Sequence, residues 1–175
     1  MKQELIAALA AMSLLAPGAV LAQVAPDPAF SPVELADIRH REASLTLVDA
    51  TGMAHVYTPA DLEGLPTYMV ETTTPWRETP ARFEGVLLSD LLERHGLIDT
   101  PRLQVIAEND FVSEMDREVW QTGAIMIATR VDGAAHTRRA RGPIQFVIPM
   151  QRYSSEEVLA ERHLVWMAAE IRPAE

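Results

Sequence analysis

The sequence has 175 residues, with 15 basic and 25 acidic side chains and a formal net charge of −10. This acidic balance disfavours binding to nucleic acid or to an anionic membrane surface, because both are polyanions. The chain has no cysteine, which excludes thiol catalysis, iron–sulfur clusters and c-type haem attachment.

The first 22 residues have the pattern of a secretory signal peptide. Lys2 precedes an apolar run from Leu5 to Leu15, and Val20-Leu21-Ala22 is typical of a cleavage site. The run is too short to span a bilayer, which needs about 20 residues; an uncleaved anchor is the alternative. We predict cleavage near Ala22 and a periplasmic or secreted mature chain that is not embedded in a membrane.

The mature chain is predicted to contain one domain. Residues 23–43 begin with a proline-rich stretch and are interpreted as an extended N-terminal leader. Residues 44–173 form the predicted domain, which is long enough to bury a core without disulfides.

Local patterns predict the first elements of this domain. Alternating apolar residues indicate strands at 44–48 and 53–57, which a short turn joins into a hairpin. Thr58, Pro59 and Asp61 then predict the capped start of a short helix.

The middle of the chain is predicted to alternate between strand, loop and helix. Residues 67–74 favour a strand and residues 77–82 a polar loop. Residues 83–88 are predicted to lead into a helix that Ser89 caps and Gly96 ends.

The second half of the domain is predicted to be rich in strands. Asp132-Gly133 is a strong hairpin-turn dipeptide, and Ser154 with Glu157 has the spacing of a capping box. The remaining predicted elements are strands at 103–107, 111–113, 124–131, 144–149 and 164–171 and a short helix at 114–120. Without a regular βαβ alternation, the pattern indicates the α+β class, with a mixed β-sheet and short helices.

Several short motifs occur together in the order that characterises one family. They are Phe83 to Leu92 (Phe-Glu-Gly-Val-Leu-Leu-Ser-Asp-Leu-Leu), Thr74-Pro75-Trp76 before it, and Ala107 to Phe111, Arg141-Gly142-Pro143 and Trp166 with Ile171 after it. In these motifs the chain resembles the sulfite-oxidase-type molybdopterin-binding domain from about Leu45 to Ile171. The resemblance implies that fold.

One departure from the family bears directly on function. Family members hold molybdenum with a cysteine thiolate, which the resemblance places near the end of the strand that ends at Thr74. Residues 69–74 are Met-Val-Glu-Thr-Thr-Thr, and no other side chain supplies a soft, anionic sulfur. We therefore expect no cofactor; molybdopterin binding is the alternative that the resemblance allows.

The threonine-rich strand end is the first candidate for a binding site. Glu71, Thr72, Thr73 and Thr74 would line the pocket if it persists, and would bind a polar ligand through hydrogen bonds. The alternative is a strand whose polar residues face solvent, because threonine favours strands in general.

The second candidate is a cationic cluster, made of His136, Arg138, Arg139 and Arg141. Arginine forks bind phosphate or carboxylate, so the cluster indicates an anion site for which a pterin phosphate is suitable. The alternative is a solvated hairpin tip whose charges pair with surplus acids.

Two tryptophans and one polar pair complete the candidates. Trp76 and Trp120 are able to stack on a planar ligand or to anchor a partner, whereas Trp166 is predicted to be core. Asn109 and Asp110 lie at a pocket rim or in an Asx-type turn. No pair of histidines has the spacing of a metal site, so we predict none.

Three functions are consistent with these patterns. The first is a non-catalytic exported module that binds a small anion or a periplasmic or membrane sensor protein. The second is an oxidoreductase that binds molybdopterin without a cysteine ligand. The third is a structural interaction domain, for which an exposed apolar patch that includes Trp76 or Trp120 is the expected signature.

Overall fold

The computed structural model describes residues 23–155 and 158–174 and consists mainly of β-strands with a few short helices. The predicted signal peptide, residues 1–22, lies outside the described residues. Within the described ranges, no helix is long and apolar enough to cross a membrane.

The elements follow one another in short segments. The strands are β1 (Ser31–Pro32), β2 (Leu45–Val48), β3 (Ala54–Tyr57), β4 (Thr67–Thr74), β5 (Arg77–Leu87), β6 (Arg102–Ala107), β7 (Val112–Asp116), β8 (Met126–Val131), β9 (Ala134–Ala135), β10 (Gln145–Val147) and β11 (Ala168–Pro173). The helices are α1 (Pro59–Leu62), α2 (Leu88–Arg94), α3 (Arg117–Gln121) and α4 (Met150–Ser155), and two 3-10 helices span Arg138–Ala140 and Glu161–His163.

These strands form two sheets instead of the one mixed sheet that was predicted. The first has the order β1-β4-β5-β8-β10, with β9 paired to β8, and its pairs are antiparallel. The second has the order β3-β2-β11-β6-β7 and is mixed, because β11 runs parallel to β2. The predicted α+β class therefore agrees with the structure, although the predicted single sheet does not.

The main hydrophobic core packs side chains from both sheets against each other and against α2. Leu47 and Val105 come from the second sheet, and Val86 and Phe146 from the first. All four are fully buried: buried residues alternate with more exposed ones along β2 and β6, whereas the end of β5 and all of β10 are buried continuously.

Local signals in the first half of the chain are confirmed. β2 and β3 form the predicted hairpin. The Thr58 hydroxyl accepts a hydrogen bond from the Asp61 amide and the Asp61 carboxylate accepts one from the Thr58 amide, so α1 begins with a complete capping box.

The helix predicted to follow residues 83–88 is present as α2, but the loop predicted before it and the cap predicted at Ser89 are wrong. Residues 77–82 belong to β5, because Pro75 and Trp76 form a tight turn that pairs Thr74 with Arg77 and continues the β4–β5 hairpin. The apolar run that follows is a strand to Leu87, since it lies between β4 and β8 and is buried. Ser89 makes no cap, and its buried hydroxyl has no partner among the described residues.

Four later elements are shifted along the chain. The strand predicted at 111–113 continues to Asp116, so the helix predicted at 114–120 is only Arg117–Gln121. A helix begins at Met150, before the predicted start at Ser154, and Glu157 of that capping box lies outside the described residues. The last strand begins at Ala168 instead of 164.

The predicted leader packs against the domain. Its strand β1 pairs with β4, and the Arg130 guanidinium donates a hydrogen bond of 2.8 Å to the Ala36 carbonyl. Arg130 and His40 also contact the Glu63 carboxylate, at 2.5 and 3.0 Å. Burial alone would raise the pKa of Glu63, but the hydrogen bonds from Arg130, Thr129 and His40 outweigh it and lower that pKa.

Candidate anion-binding site

A pocket lies at one end of the first sheet, where the turn between β4 and β5 meets the segment between β9 and β10. Its volume is about 310 Å³, at the lower end of the range for small-molecule pockets, about 300–1,000 Å³. Its lining consists of Thr74, Trp76, Arg77, Phe83, Arg138, Arg139, Ala140, Arg141, Gln145 and Trp166. Trp76 and the three clustered arginines, selected separately from the sequence, therefore share one cavity.

Arg141 occupies the angle between two tryptophan rings. Its guanidinium carbon lies 4.6 Å from the centre of the Trp76 ring and 4.7 Å from that of Trp166. The two rings are 6.4 Å apart and tilted by 43°. Cation–π attraction to one face of each ring holds the guanidinium in place, so the tryptophans position Arg141.

The backbone that carries Arg141 is held in an uncommon conformation. Arg141 has φ 78° and ends the 3-10 helix, and Met167, next to Trp166, has φ 53°. The two are joined, because the Met167 amide donates a hydrogen bond of 3.1 Å to the Arg141 carbonyl. Residues other than glycine rarely adopt positive φ, and such positions are found often at functional sites.

The four arginines of the lining differ in their partners. Arg138 forms an ion pair with Glu108, and Arg77 lies 3.6 Å from Asp132. Within residues 23–155 and 158–174, neither Arg139 nor Arg141 has a carboxylate at ion-pairing distance. No acidic side chain belongs to the lining, so the pocket is electropositive although the whole chain is strongly acidic.

Gln145 forms part of the pocket wall and is held from behind by His136. The ring Nε2 of His136 and the amide oxygen of Gln145 lie 2.8 Å apart, and both residues are buried. Nδ1 is buried without a hydrogen-bond partner among the described residues, so a proton there would be an unpaired buried donor; we therefore assign the ring proton to Nε2, where the Gln145 oxygen accepts it. Burial lowers the pKa of His136. The hydrogen bond to Gln145 opposes this effect and the charge of Arg77 adds to it, and the pKa stays below its usual value. The imidazole is therefore neutral at pH 7.

His136 therefore lies behind the pocket instead of facing a ligand. The Asp132-Gly133 turn reverses the chain after β8, and the His136 amide then bonds to the Thr129 carbonyl at 2.9 Å. This pairing places the imidazole in the interior, where it packs edge-on against Phe83.

The threonine-rich candidate is divided between two places. Thr74 lines the arginine pocket, but Glu71, Thr72 and Thr73 border a separate depression with Met150. Thr72 is buried, and its hydroxyl accepts a hydrogen bond of 2.8 Å from the Met150 amide. Glu71 is exposed. A ligand role for these three residues stays a prediction, separate from the arginine pocket.

Asn109 and Asp110 lie in the turn between β6 and β7 and do not line the arginine pocket. The Asn109 side chain accepts a hydrogen bond from the Phe111 amide at 3.4 Å, and Asp110 has φ 63°. This is the geometry of the Asx-type turn that was one of the two expectations.

The structure corrects the interpretation of two tryptophans. Trp120 is 1% exposed and donates to the Ile98 carbonyl at 3.0 Å, so it is a core residue and does not reach a ligand or partner. Trp166 was expected in the core but is only half-buried and lines the pocket. An exposed apolar patch containing Trp120 is therefore excluded.

Sequence reasoning did not select Arg77, Gln145 or Trp166 for the site. Gln145 and Trp166 meet because residues 144–146 run antiparallel to residues 165–168, with an isolated bridge between Gln145 and Trp166. No local signal marks that pairing. Arg77 directly follows Trp76 but was assigned to a polar loop, whereas it begins β5 opposite Thr74 and lines the pocket.

The donor set of the pocket does not fit a molybdenum centre. The sequence has no cysteine, and the described residues contain no group of three or more histidine or acidic side chains able to hold a metal ion. Guanidinium groups bind anions and repel cations. The same groups fit the phosphate of a pterin cofactor, which is an anion.

Comparison with known proteins gives a likeness at the level of fold. No protein-family profile matches the sequence, and no curated protein matches it significantly. Among solved structures, the sulfane dehydrogenase SoxCD from Paracoccus pantotrophus superposes with a TM-score of 0.58 and 15% identity, over 78% of this chain. The match spans 39% of that protein. The chain therefore shares the fold of part of a dehydrogenase.

Proposed function

We propose that this chain is a non-catalytic module that binds a small anion in the arginine- and tryptophan-lined pocket. The observation that carries the proposal is the pair Arg139 and Arg141, which line one cavity without carboxylate partners among the described residues. Guanidinium forks are suited to oxyanions, because they combine charge with paired hydrogen bonds.

The position of the pocket supports a ligand site. Thr74 ends β4 and lines the cavity, and the resemblance to sulfite-oxidase-type domains places the cofactor-binding cysteine near this strand end. The fold shared with part of a sulfane dehydrogenase is consistent with that resemblance. In this proposal the chain has a sulfite-oxidase-type fold and keeps the pocket without the metal ligand.

The site of action forms part of the same proposal. The signal-peptide pattern of residues 1–22, with cleavage near Ala22, supports export to the periplasm or beyond. Binding of a small anion by an exported, non-catalytic chain is the expected property of an accessory or sensory component.

Titration calorimetry with sulfate as the probe tests the proposal. Arg139→Gln and Arg141→Gln each remove one guanidinium, and a hydrogen bond to a charged group contributes about 1.5–3 kcal/mol. We expect each variant to bind sulfate at least about tenfold more weakly than the unaltered chain. Arg162→Gln is the matched control, since Arg162 is exposed and lies outside the pocket. An equal loss in the control, or no sulfate binding in the unaltered chain, contradicts the proposal.

A molybdopterin-dependent oxidoreductase is the second candidate, and the fit of the arginines to a pterin phosphate favours it. Molybdenum analysis of protein expressed with an intact cofactor supply separates the two. Stoichiometric metal that Arg139→Gln abolishes would support the oxidoreductase and overturn the non-catalytic module.

A further inference from the structure

Most of the polar side chains that line the pocket are arginines, which are hydrogen-bond donors. Arg139 and Arg141 only donate, and no carboxylate is present to accept. Arg141 lies over one face of Trp76 and one face of Trp166, and neither tryptophan side chain can accept a conventional hydrogen bond. Whether the pocket can accept a hydrogen bond from a ligand therefore depends on the two remaining polar side chains, Thr74 and Gln145.

Gln145 is the lining side chain whose role depends on its orientation. An amide presents either an NH₂ donor or a carbonyl acceptor, and the two orientations have nearly the same shape. The Nε2–H of neutral His136 donates to the amide oxygen at 2.8 Å, which turns the NH₂ group away from His136. That NH₂ group has no acceptor among the described residues, and Gln145 lines the pocket.

His136 is itself fixed by its surroundings. It is 2% exposed, and Phe83 packs against it edge-on. Gly142 lies so close that a Cβ atom there would be 2.5 Å from the imidazole. The ring therefore has little room to turn and offer Nδ1 to Gln145.

We infer that His136 is a positioning residue that locks Gln145 as a donor, and that the pocket thereby selects anions without hydrogen on their oxygen atoms. The class comprises sulfate, sulfonates and carboxylates. Inorganic phosphate is disfavoured, because it keeps at least one hydroxyl throughout the neutral range. This inference rests on the proposed function and specifies the ligand class of the same site.

The selectivity follows from the imbalance between donors and acceptors. A phosphate hydroxyl that enters this donor-rich pocket meets mainly N–H groups and loses the hydrogen bond it made to water, which is unfavourable. Thr74 is the remaining side chain of the lining able to accept, and a single rotating hydroxyl is a weaker acceptor than a carboxylate.

The test is the ratio of the affinities for inorganic sulfate and inorganic phosphate, measured by calorimetry at one pH and one ionic strength. We expect sulfate to bind at least about tenfold more tightly to the unaltered chain, because the hydroxyl of bound phosphate would be left without a strong hydrogen-bond acceptor. His136→Leu releases Gln145 and should bring the ratio close to one, whereas His136→Gln, which keeps an amide donor, should retain most of the preference.

Gln145→Glu tests the same inference with an acceptor in place of the donor, and it keeps the shape of the side chain if His136→Leu does not fold. The carboxylate repels both anions, but only phosphate has a hydroxyl for it to accept, so the ratio should invert. Binding of both anions with equal affinity to the unaltered chain overturns the inference and leaves the proposed function intact. Failure to bind either anion overturns the proposed function.

Discussion

The guanidinium carbon of Arg141 lies 4.6 Å above the ring of Trp76. This contact joins the β4–β5 turn to the 3-10 helix that precedes β10, two segments far apart in sequence. Trp166 holds the same guanidinium from a third segment, at 4.7 Å. The pocket is therefore assembled from three segments that are far apart in sequence, and Trp76 and Trp166 contribute to it by positioning Arg141.

Replacement of Trp76 tests this arrangement. Trp76→Leu removes one aromatic face, and a cation–π contact contributes about 0.5–2 kcal/mol. We expect weaker sulfate binding by a free energy in that range, measured by calorimetry, with little change in thermal stability because Trp76 is only half-buried. Unchanged affinity would show that Arg141 needs no aromatic support.

Trp120 provides the contrasting case. It is 1% exposed within the main core, and truncation of a buried tryptophan costs about 3–5 kcal/mol. Trp120→Ala should lower the free energy of unfolding by about that amount in urea titrations. A loss as small as that of Trp76→Leu would contradict its assignment to the core.

The ion pair of Glu63 and Arg130 is expected to stabilise the packing of the predicted leader. The two side chains are 9% and 5% exposed, and removal of one partner of a buried pair costs about 3–5 kcal/mol. Glu63→Gln should destabilise the chain accordingly, and the double variant Glu63→Gln, Arg130→Met should recover part of the loss. A double variant less stable than the single one would show that Arg130 is held by other contacts.

The shifted pKa of Asp90 predicts how the stability of the fold depends on pH. Burial, and then the neighbouring Glu93, raises the pKa of Asp90 from 3.8 to about 6. The fold therefore disfavours the charged carboxylate: the penalty is absent below pH 3.8, grows as the pH rises towards 6 and is complete above it. Asp90→Asn should raise the melting temperature at neutral pH and not at pH 3 or below, in scans across that range. A gain that does not vary with pH would contradict this origin.

Sequence reasoning succeeded where the signal was local. The capping box of Thr58 and Asp61 and the Asp132-Gly133 turn depend on neighbouring residues only, and both are present. Residues 83–87 show the opposite case. A continuous apolar run fits a buried strand or a buried helix, and here the flanking strands β4 and β8 decide the outcome.

Some residues of the candidate site can likewise be predicted from the sequence, and others cannot. Arg139 and Arg141 are conspicuous in the sequence because they lie in a basic cluster on an acidic chain. Gln145 and Trp166 come together through the pairing of residues 144–146 with 165–168. That contact links the two sheets, and no residue pattern within either segment predicts it.

A crystal structure grown in selenate, a sulfate analogue with an anomalous scatterer, tests the central claim most directly. We expect a selenium peak in the pocket, within hydrogen-bonding distance of the guanidinium groups of Arg139 and Arg141 and of the Gln145 amide. An ordered pocket without that peak, in a crystal where selenate occupies other sites, would contradict it.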